Sequence, residues 1–526
     1  YFFKKNPFKN VFSIYSKKIF LHLTVMKKWI VQKFGGSSLA NSNCFLKVSE
    51  IIKQSNSVNN GIVVSAVGGI TDKLILLAQT ALEQKDYSSV LSEILNIHKK
   101  IIKDLNLSET LLSEIINDLD EIENLLKATK IQKEKNNFEL ISSYGEIWSS
   151  KILVSLLDKE KLNYNHLNAR EFLTVSDKVS SSFLLEPSQI KFDEKIKNIE
   201  NFVATGYICS TVDGIPTTLK RNGSDYSAAL MAQLLKAQEL IIWTDVSGVL
   251  CADPRKVTEA EIVSDLSYDE AIELAYFGAK VIHPKAVSPL INSKIPLTIK
   301  NTFRPNDKGS TIRSETKGKI IKGFSSISNV SLINVEGKGL IGVSGIASKI
   351  FTCLKNEGIS VILISQGSSE YSICFAVKTD TASLAKKVLQ EEFFAEIEKN
   401  KINKIEKIDS CSVLAVVGDS MSSKPGVSGA VFKTLGESSI NIKAISQGSS
   451  ERSISLVVDT KDEVKALNAL FNGMYKNKPE LSVGIIGPGL IGQALIKQLK
   501  NPHLNLPMKM DIKATMSSSK LYIEEN

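Results

Sequence analysis

The chain has 526 residues, of which 43% are hydrophobic and 23% are charged, and its formal net charge is +9. This length exceeds what one hydrophobic core normally supports, so three or four domains are expected. The composition is that of a globular protein, and no run of 18 apolar residues predicts a transmembrane helix. Because five lysines and no acidic residue fall within residues 1–25, the excess positive charge is local, and we predict no nucleic-acid binding.

Residues 1–25 precede Met26 and the first clear strand. They lack the arginines or small-residue cleavage site of a targeting peptide. We interpret them as a disordered extension that comes from a wrong start site, with a targeting segment as the alternative. The six cysteines form no CxxC pair and the five histidines lack ligand spacing, which predicts no disulfide framework and no metal site and favours the cytoplasm.

Two glycine-ended strands open the first predicted domain. Trp29–Phe34 is an apolar strand that runs into Gly35 and Gly36, and Gly61–Gly69 is a second buried strand that runs into another glycine pair, Gly68 and Gly69. Strand, glycine turn, helix and strand in this order indicate a parallel α/β sheet. Residues 71–144 contain neither Gly nor Pro and repeat apolar side chains every three or four positions, which predicts a helical lobe.

Strands and helices alternate again from residue 160 to residue 316. We predict a strand over 201–208 and another over 240–244, with a helix over 225–236 between them. A further helix is predicted to begin near Ser267, which can form a capping box with Glu270. The charged segment 315–322 is predicted to be a linker.

The turn after the first strand has the composition of a phosphate site. Gly35 and Gly36 allow backbone N–H groups to approach phosphate oxygens, and Lys33 can place an ammonium beside a transferring phosphoryl group. The sequence lacks the GxxxxGK[ST] loop, so an ordinary turn is the alternative. Asp225, at the start of a predicted helix, either caps that helix or orients Lys33.

Other polar residues lie where a ligand site is expected. Thr244 and Asp245 follow a strand, at the edge where open α/β sheets bind ligands. The guanidinium of Arg221 can clamp a carboxylate, and Glu146 can bind an ammonium. Arg255 supplies a further cation for phosphates, and for each of these residues an ordinary turn or surface charge is the alternative.

Together, these segments closely resemble the aspartate kinases of the amino-acid kinase fold. The resemblance covers residues 27–316 and rests on KFGGSS, VGGITD, YGE, KRNGSD, WTDVSGVLCADPR and FGAKVIHP in that order. It implies that residues 26–316 form a carbamate-kinase-like three-layer α/β sandwich with a helical lobe. The sequence departs from the family pattern at Tyr144, where relatives often have Arg or His, and at Asn222, where Gly is common.

The resemblance also implies a reaction and roles for individual residues. ATP, with Mg²⁺, would phosphorylate the β-carboxylate of L-aspartate to 4-phospho-L-aspartate, the first step of threonine, methionine and lysine biosynthesis. That carboxylate is ionised at pH 7, so no general base is needed. The implied residues fall into three groups: Lys33 and Asp225 for catalysis; Ser65, Thr71, Glu146 and Arg221 for aspartate; and Gly35, Gly36, Ser37, Thr244, Asp245, Arg255 and Lys280 for ATP.

An internal repeat follows. Val343–Val377 aligns without a gap with Lys424–Val458, a constant offset of 81 residues, and SQGSSE recurs in both copies. The repeat resembles the ACT regulatory domain and implies tandem ferredoxin-like modules over 317–478. It implies that Gln366 and Gln447 face an amino-acid effector, predicted to be threonine with lysine as the alternative, and that a homodimer or homotetramer forms through the modules. A simple turn is the other interpretation of SQGSSE.

The chain ends in a dinucleotide-type pattern. A strand from Leu481 runs into Gly487, Gly489 and Gly492 and then a predicted helix. After an ACT pair, this order resembles the bifunctional aspartokinase–homoserine dehydrogenases and implies that residues 479–526 begin a Rossmann domain for NADP(H). A doubly wound domain needs far more residues, so no dehydrogenase activity is expected from this chain. Two rival functions remain: a kinase of the same fold for N-acetylglutamate or uridylate, and a non-catalytic amino-acid sensor.

Overall fold

The computed structural model describes most of the chain from Lys28 onward. The described ranges are 28–55, 59–132, 137–177, 181–220, 222–277, 282–316, 318–338, 345–367, 372–421, 423–448, 452–476, 480–499 and 509–523. The predicted extension 1–25 lies outside them. Within these ranges, no helix combines the length and the apolar character needed to cross a membrane.

The first part of the chain is built on one mixed sheet with the strand order β3-β5-β2-β1-β8-β10-β11-β9. Neighbouring strands from β3 to β10 run parallel, and β10 and β11 are antiparallel. A smaller sheet has the order β4-β6-β7. The strands are β1 (Trp29–Phe34), β2 (Asn59–Val64), β3 (Asn165–Leu167), β4 (Thr174–Val175), β5 (Phe202–Thr205), β6 (Ile208–Thr211), β7 (Pro216–Thr218), β8 (Glu239–Thr244), β9 (Asp265–Ser267), β10 (Leu297–Asn301) and β11 (Ser310–Arg313).

Helices cover both faces of the main sheet, which confirms the predicted three-layer sandwich. Side chains alternate between the faces of β1: Val31 lies in a core with α8 and α10, whereas Phe34 lies in a second core with α1, α2 and α6. The helices are α1 (Ser42–Gln54), α2 (Ile70–Leu82), α3 (Ser88–Asp104), α4 (Glu109–Gln132), α5 (Phe138–Ser142), α6 (Tyr144–Lys159), α7 (Leu185–Ile196), α8 (Gly223–Leu235), α9 (Tyr268–Tyr276) and α10 (Pro284–Ser293).

Most local predictions in this part are confirmed, and one strand prediction is wrong. The described residues of the lobe over 71–144 are mainly helical, and the capping box of Ser267 and Glu270 is formed. The predicted strand 201–208 is instead divided into β5 and β6. Tyr207 has a φ of +64°, a left-handed conformation that turns the chain out of the extended direction, and β6 leaves the main sheet for the smaller one.

The repeated modules share one sheet with the order β13-β14-β12-β15-β17-β16. Structural equivalence extends the repeat beyond the predicted stretch, because β12 and β15 have the same length and the same offset. The strands are β12 (Gly323–Glu336), β13 (Val361–Gln366), β14 (Ser372–Lys378), β15 (Lys404–Val417), β16 (Ala444–Gln447) and β17 (Ser453–Asp459). The helices are α11 (Ile346–Asn356), α12 (Thr379–Glu392), α13 (Phe394–Glu398), α14 (Val427–Glu437) and α15 (Glu463–Leu470).

The two modules are interlocked rather than merely consecutive. The long strands β12 and β15 are each interrupted at a left-handed residue, Asn329 at φ +58° and Ser410 at φ +57°. Residues 323–327 of β12 pair with the second half of β15, whereas residues 330–336 pair with β14 and the first half of β15. Each module is therefore completed by one half of the long strand that begins the other module.

The last described stretch has the predicted order of elements. Its elements are β18 (Glu480–Ile486), α16 (Leu490–Leu499), β19 (Lys509–Met516) and β20 (Leu521–Ile523), and β18 and β19 are parallel. Gly487 has a φ of +79°, and a Cβ on Gly492 would lie 2.7 Å from the carbonyl oxygen of Gly487. Both glycines are therefore required by this turn. Its role in binding a dinucleotide stays a prediction.

Candidate functional site

The predicted site segments meet at the carboxyl edge of the main sheet. The residues after β1, β2 and β8 share this edge because those strands are parallel. The backbone N–H of Gly35 donates to the carbonyl of Trp243 at 3.2 Å, and that of Ser65 donates to Phe34 at 3.1 Å. This edge is where open α/β sheets bind their ligands.

A cavity of about 550 Å³ opens at this edge. It is lined by side chains and backbone from widely separated parts of the sequence. The predicted site residues among its lining are Lys33, Gly36, Ser65, Thr71, Glu146 and Asp225. The structure therefore brings together the two predicted catalytic residues and most of the predicted aspartate-binding residues.

Lys33 and Asp225 form an ion pair at one side of this cavity. Their side-chain atoms Nζ and Oδ1 lie 2.6 Å apart, and the side chains are only 10% and 17% exposed. Asp225 belongs to the first turn of α8, whose N-cap is Asn222 with a φ of +57°. The capping interpretation of Asp225 therefore gives way to the alternative, in which its carboxylate fixes the position of the Lys33 ammonium.

Glu146 is a buried carboxylate on the first turn of α6. Its side chain lines the cavity, yet the residue is only 3% exposed. Its Oε1 accepts a hydrogen bond from the Ala66 N–H at 3.3 Å, while Oε2 has no partner among the described residues. Burial raises the pKa of Glu146 from 4.5 to about 8. A buried carboxylate with one unused oxygen is suited to a cationic ligand group that enters the cavity.

The close packing around Glu146 gives a direct test. A Cβ on Gly145 would lie 2.7 Å from the Cβ of Ala66, so Gly145→Ala must push α6 away from the segment after β2. We expect this variant to misplace Glu146 and to lose at least about tenfold in catalytic efficiency, since small displacements in active sites cost up to about 10²-fold. Steady-state kinetics measures this loss. The matched control is Gly436→Ala, a helical glycine in α14 with open space around it, and full activity of Gly145→Ala would contradict the expectation.

Three of the predicted nucleotide-binding residues, Gly35, Gly36 and Ser37, form the turn after β1, and Gly36 lines the cavity. Backbone geometry keeps the turn after β1 close-packed, since a Cβ on Gly36 would lie 3.2 Å from the Ala66 carbonyl. Ser37 lies in this turn, and its neighbour Ser38 bonds Thr302 through their hydroxyl oxygens at 2.7 Å. The turn is thereby tied to the end of β10, on the same edge of the sheet.

The end of β8 supplies the next two predicted nucleotide ligands. The Thr244 hydroxyl donates to Asp245 at 3.2 Å, and Asp245 is exposed at the sheet edge. The carbonyl of Asp245 accepts from the side-chain amide of Asn301 at 3.2 Å. These contacts hold the β8 end against the β10 end and leave the Asp245 carboxylate open to a ligand.

Arg255 lies on an exposed turn further along the chain. Its guanidinium makes two hydrogen bonds to Asp253, at 3.0 and 2.7 Å, and its side chain is 83% exposed. The hydrogen bonds from Arg255 lower the pKa of Asp253. The guanidinium is therefore oriented by its neighbour but does not line the cavity around Lys33. Arg221 and Lys280 lie outside the described residues, so their predicted roles stay predictions.

Several cavity residues were not singled out from the sequence. They are Asp72, Tyr207, Lys220 and Ser224. Lys220 and Ser224 belong to the KRNGSD segment, so the sequence shows their polar side chains but does not show that these side chains face the cavity. Lys220 forms an ion pair with Glu139, which explains a charge that faces the cavity without being free for a ligand. Tyr207 carried no sequence signal, because its place depends on the left-handed break between β5 and β6.

The two predicted effector residues occupy equivalent positions in the regulatory modules. Gln366 ends β13 and Gln447 ends β16, and both side chains are exposed. The side-chain oxygen of Gln447 accepts from the Ser428 hydroxyl at 3.1 Å. The two glutamines are related by the same 81-residue offset as the repeat. Their role in effector binding stays a prediction.

Comparison with known protein families gives two matches along the chain. Residues 28–301 match the amino acid kinase family. Residues 333–393 and 414–472 match the ACT domain. The first match covers the sandwich that carries the cavity, and the second covers the two interlocked modules.

Individual relatives agree with these matches. Bifunctional aspartokinase/homoserine dehydrogenase 2 of Arabidopsis thaliana is 39% identical over 506 residues, which are 92% of this chain and 55% of the relative. Aspartokinase 1 of the same plant is 30% identical over 488 residues, 89% of this chain and 84% of the relative. The chain thus spans about half the length of the bifunctional relatives. The structure of Escherichia coli aspartokinase III in complex with aspartate and ADP matches with a TM-score of 0.72 at 26% identity, covering 85% of this chain and 100% of the relative. The structure of the same enzyme in complex with lysine and aspartate matches with a TM-score of 0.69, covering 85% of this chain and 99% of the relative.

Proposed function

The chain belongs to the amino acid kinase family, and within it to the aspartokinases, and we propose that it transfers the γ-phosphoryl group of ATP to the β-carboxylate of L-aspartate. The observation that carries this proposal is the convergence of the Lys33–Asp225 pair and the buried Glu146 on one cavity. The relatives named above include a structure with aspartate and ADP bound. The product would be 4-phospho-L-aspartate.

The residues of the cavity match the charges of such a substrate. The Glu146 carboxylate would bind the ammonium group of aspartate, and Arg221, assigned from its motif alone, would bind the α-carboxylate. The β-carboxylate is ionised at neutral pH and attacks without a general base. The main barrier is then repulsion between two anions, which Lys33 and the backbone N–H of Gly36 would reduce, whereas the N–H of Gly35 is used by the Trp243 carbonyl.

A divalent ion accompanies ATP in kinases, and we propose Mg²⁺ in this role. In the described residues, no three His, Cys, Asp or Glu side chains come together as a metal cage. Such an ion would be held mainly by nucleotide phosphates and by one or two carboxylates, for which Asp225 at the cavity is a candidate. When bound, the ion neutralises phosphate charge, while Lys33 stays positioned by the same carboxylate.

The proposed activity is tested by mixing purified chain, ATP and L-aspartate and trapping the acyl phosphate as aspartyl hydroxamate. N-acetylglutamate and uridylate are the competing substrates, because they stand for other kinases of this fold. N-acetylglutamyl phosphate is trapped by the same reaction, whereas phosphorylation of uridylate is followed by the release of ADP. Product from aspartate alone supports the proposal. A chain that binds aspartate but forms no hydroxamate would instead be a non-catalytic amino-acid sensor.

We also propose feedback inhibition through the two regulatory modules, with threonine as the effector and lysine as the alternative. Millimolar threonine is expected to inhibit the kinase, and Gln366→Ala or Gln447→Ala is expected to weaken inhibition roughly 5- to 150-fold, the usual range of allosteric coupling. Gln390→Ala, an exposed glutamine of α12, is the matched control. Kinase rates that threonine leaves unchanged would contradict the proposal, and inhibition by lysine alone would favour the alternative.

The remaining assignments stay proposals. The parent of this chain would be a bifunctional enzyme, in which residues 479–526 begin the NADP(H)-binding part of a homoserine dehydrogenase. The domain limits 26–316 and 317–478, assembly as a homodimer or homotetramer through the ACT modules, and a cytoplasmic location belong to the same proposal. Their support is the resemblance to the bifunctional relatives and the scattered cysteines, although the Arabidopsis relatives carry chloroplastic names.

A further inference from the structure

A buried polar cluster joins the kinase part to the second regulatory module. Its centre is Glu463, the first residue of α15, which is only 4% exposed. Lys256 of the kinase part forms an ion pair with Oε1 of Glu463. Three serine hydroxyls also donate to the carboxylate: Ser326 at 2.7 Å, Ser328 at 3.0 Å and Ser412 at 2.7 Å.

The electrostatics of this cluster favour a charged Glu463. Burial pushes its pKa up, but the hydrogen bonds from Lys256 and the serines outweigh burial, so the pKa lies below its ordinary value. Lys256 also donates to the hydroxyls of Ser326 and Ser328, at 2.9 and 3.2 Å. The pair is therefore a fixed contact in the protein interior whose charges are hydrogen-bonded by protein groups, unlike a surface ion pair.

The internal repeat shows that the module itself does not require this glutamate. With the offset of 81, Glu463 corresponds to Ala382, which is fully buried in the first module. A neighbouring contact is kept in both copies: Ser412 bonds Thr460 and Ser331 bonds Thr379, each at 3.2 Å. The two modules thus share their framework and differ at the position that receives Lys256.

Lys256 is held by its backbone as well as its side chain. Its N–H donates to the carbonyl of Asp253, and its own carbonyl accepts from the side-chain amide of Asn468 in α15, at 2.9 and 2.8 Å. Asp253 in turn holds the guanidinium of Arg255. Neighbouring side chains of this turn therefore point apart, Lys256 into the regulatory module and Arg255 into solvent.

We propose that Lys256 and Glu463 are positioning residues for the nucleotide, through which the second regulatory module holds the Arg255 turn in place for the phosphates of ATP. This inference rests on the proposed function, because it requires Arg255 to contact ATP. It makes the regulatory module a structural part of the nucleotide site and gives the module a direct contact through which to alter it.

The test is steady-state kinetics on the full chain with Glu463→Gln and Lys256→Met. Both variants are expected to raise the KM for ATP by about 10- to 100-fold, as displaced binding groups do, while the KM for aspartate changes less than about threefold. Lys256→Arg keeps the charge and is expected to restore most of the ATP affinity. The matched control is Glu259→Gln, which removes the exposed ion pair of the same segment with Lys476 and is expected to change nothing.

Two further measurements keep the outcome decisive. If a single variant does not fold, Lys256→Met/Glu463→Gln removes both charges together and carries the same expectation. Folded variants that keep the wild-type KM for ATP, whatever their thermal stability, overturn the proposal. ATP binding measured by calorimetry separates the positioning role of Lys256 and Glu463 from the proposed kinase function. A wild-type chain that binds ATP without phosphorylating aspartate contradicts the kinase function. The positioning role is then still tested by comparing the ATP affinities of the wild-type chain and the variants.

Discussion

Replacing Lys33 with alanine is expected to lower kcat by about 10²-fold or more. The reason is electrostatic: its ammonium lies in a largely buried pair with Asp225, and removing one preorganised donor from a site of developing negative charge typically has this effect. The KM for aspartate is expected to change little, because the substrate ammonium and α-carboxylate would be bound by other residues. Hydroxamate formation under saturating ATP and aspartate measures the loss.

The control for this prediction is Lys53→Ala. Lys53 also pairs with a carboxylate, that of Glu160 at 2.7 Å, but it lies on the outer face of α1 with a 48% exposed side chain. Its removal is expected to leave kcat unchanged. Asp225→Asn should reduce kcat as well, because the neutral amide no longer anchors the ammonium. Near-normal turnover of a folded Lys33→Ala variant would refute the assignment of Lys33 to catalysis.

The sequence was most informative where function depends on local backbone chemistry. The glycines after β1 and β2, the capping box of α9 and the gapless repeat are each specified by neighbouring residues, and each is present in the structure. That Lys33, Glu146 and Asp225 share one site could be predicted only from the resemblance of all the motifs together to one family. Composition and spacing alone left each of them with an ordinary structural interpretation.

What the sequence could not reveal depends on contacts between distant positions. Lys256 and Glu463 are 207 residues apart, and neither belongs to a pattern that marks it. The interlocking of the modules depends on which halves of β12 and β15 pair, and that pairing is set by the left-handed residues Asn329 and Ser410. The protonation of Glu146 likewise follows from burial, which a glutamate beside a glycine does not announce.

The protonation of Glu146 leads to the second large effect, a pH-dependent affinity for aspartate. In the protein without substrate, the pKa of Glu146 is about 8, so the carboxyl is mostly neutral at pH 6. Binding an ammonium requires the ionised form, so the KM for aspartate is expected to fall by up to about tenfold for each pH unit from 6 to 8, because one pKa unit equals about 1.4 kcal/mol. Measuring KM at several pH values tests this directly.

The Glu146→Gln variant separates this effect from other titrations. It is expected to raise the KM for aspartate by about 10- to 200-fold, the equivalent of losing a charge-assisted hydrogen bond, and to flatten the pH profile. Glu160→Gln is the control. Burial raises the pKa of Glu160, but hydrogen bonds from Lys53 and Ser49 outweigh burial and hold this pKa below its ordinary value, so Glu160 does not titrate between pH 6 and 8. A pH profile that persists in Glu146→Gln would place the titrating group elsewhere.

The same shift predicts a change in stability with a definite sign. The folded protein keeps a proton on Glu146 up to a pH of about 8, whereas the unfolded chain loses it near the ordinary pKa of 4.5. The contribution of this protonated carboxyl to the free energy of unfolding is therefore complete below pH 4.5 and is lost as the pH rises towards 8. Without aspartate, the free energy of unfolding should fall by up to about 1.4 kcal/mol per pH unit in this window relative to Glu146→Gln. Saturating aspartate should remove the difference in slope, because the bound ammonium replaces the proton as the partner of the carboxylate. An unchanged slope with aspartate present would mean that the substrate does not reach Glu146.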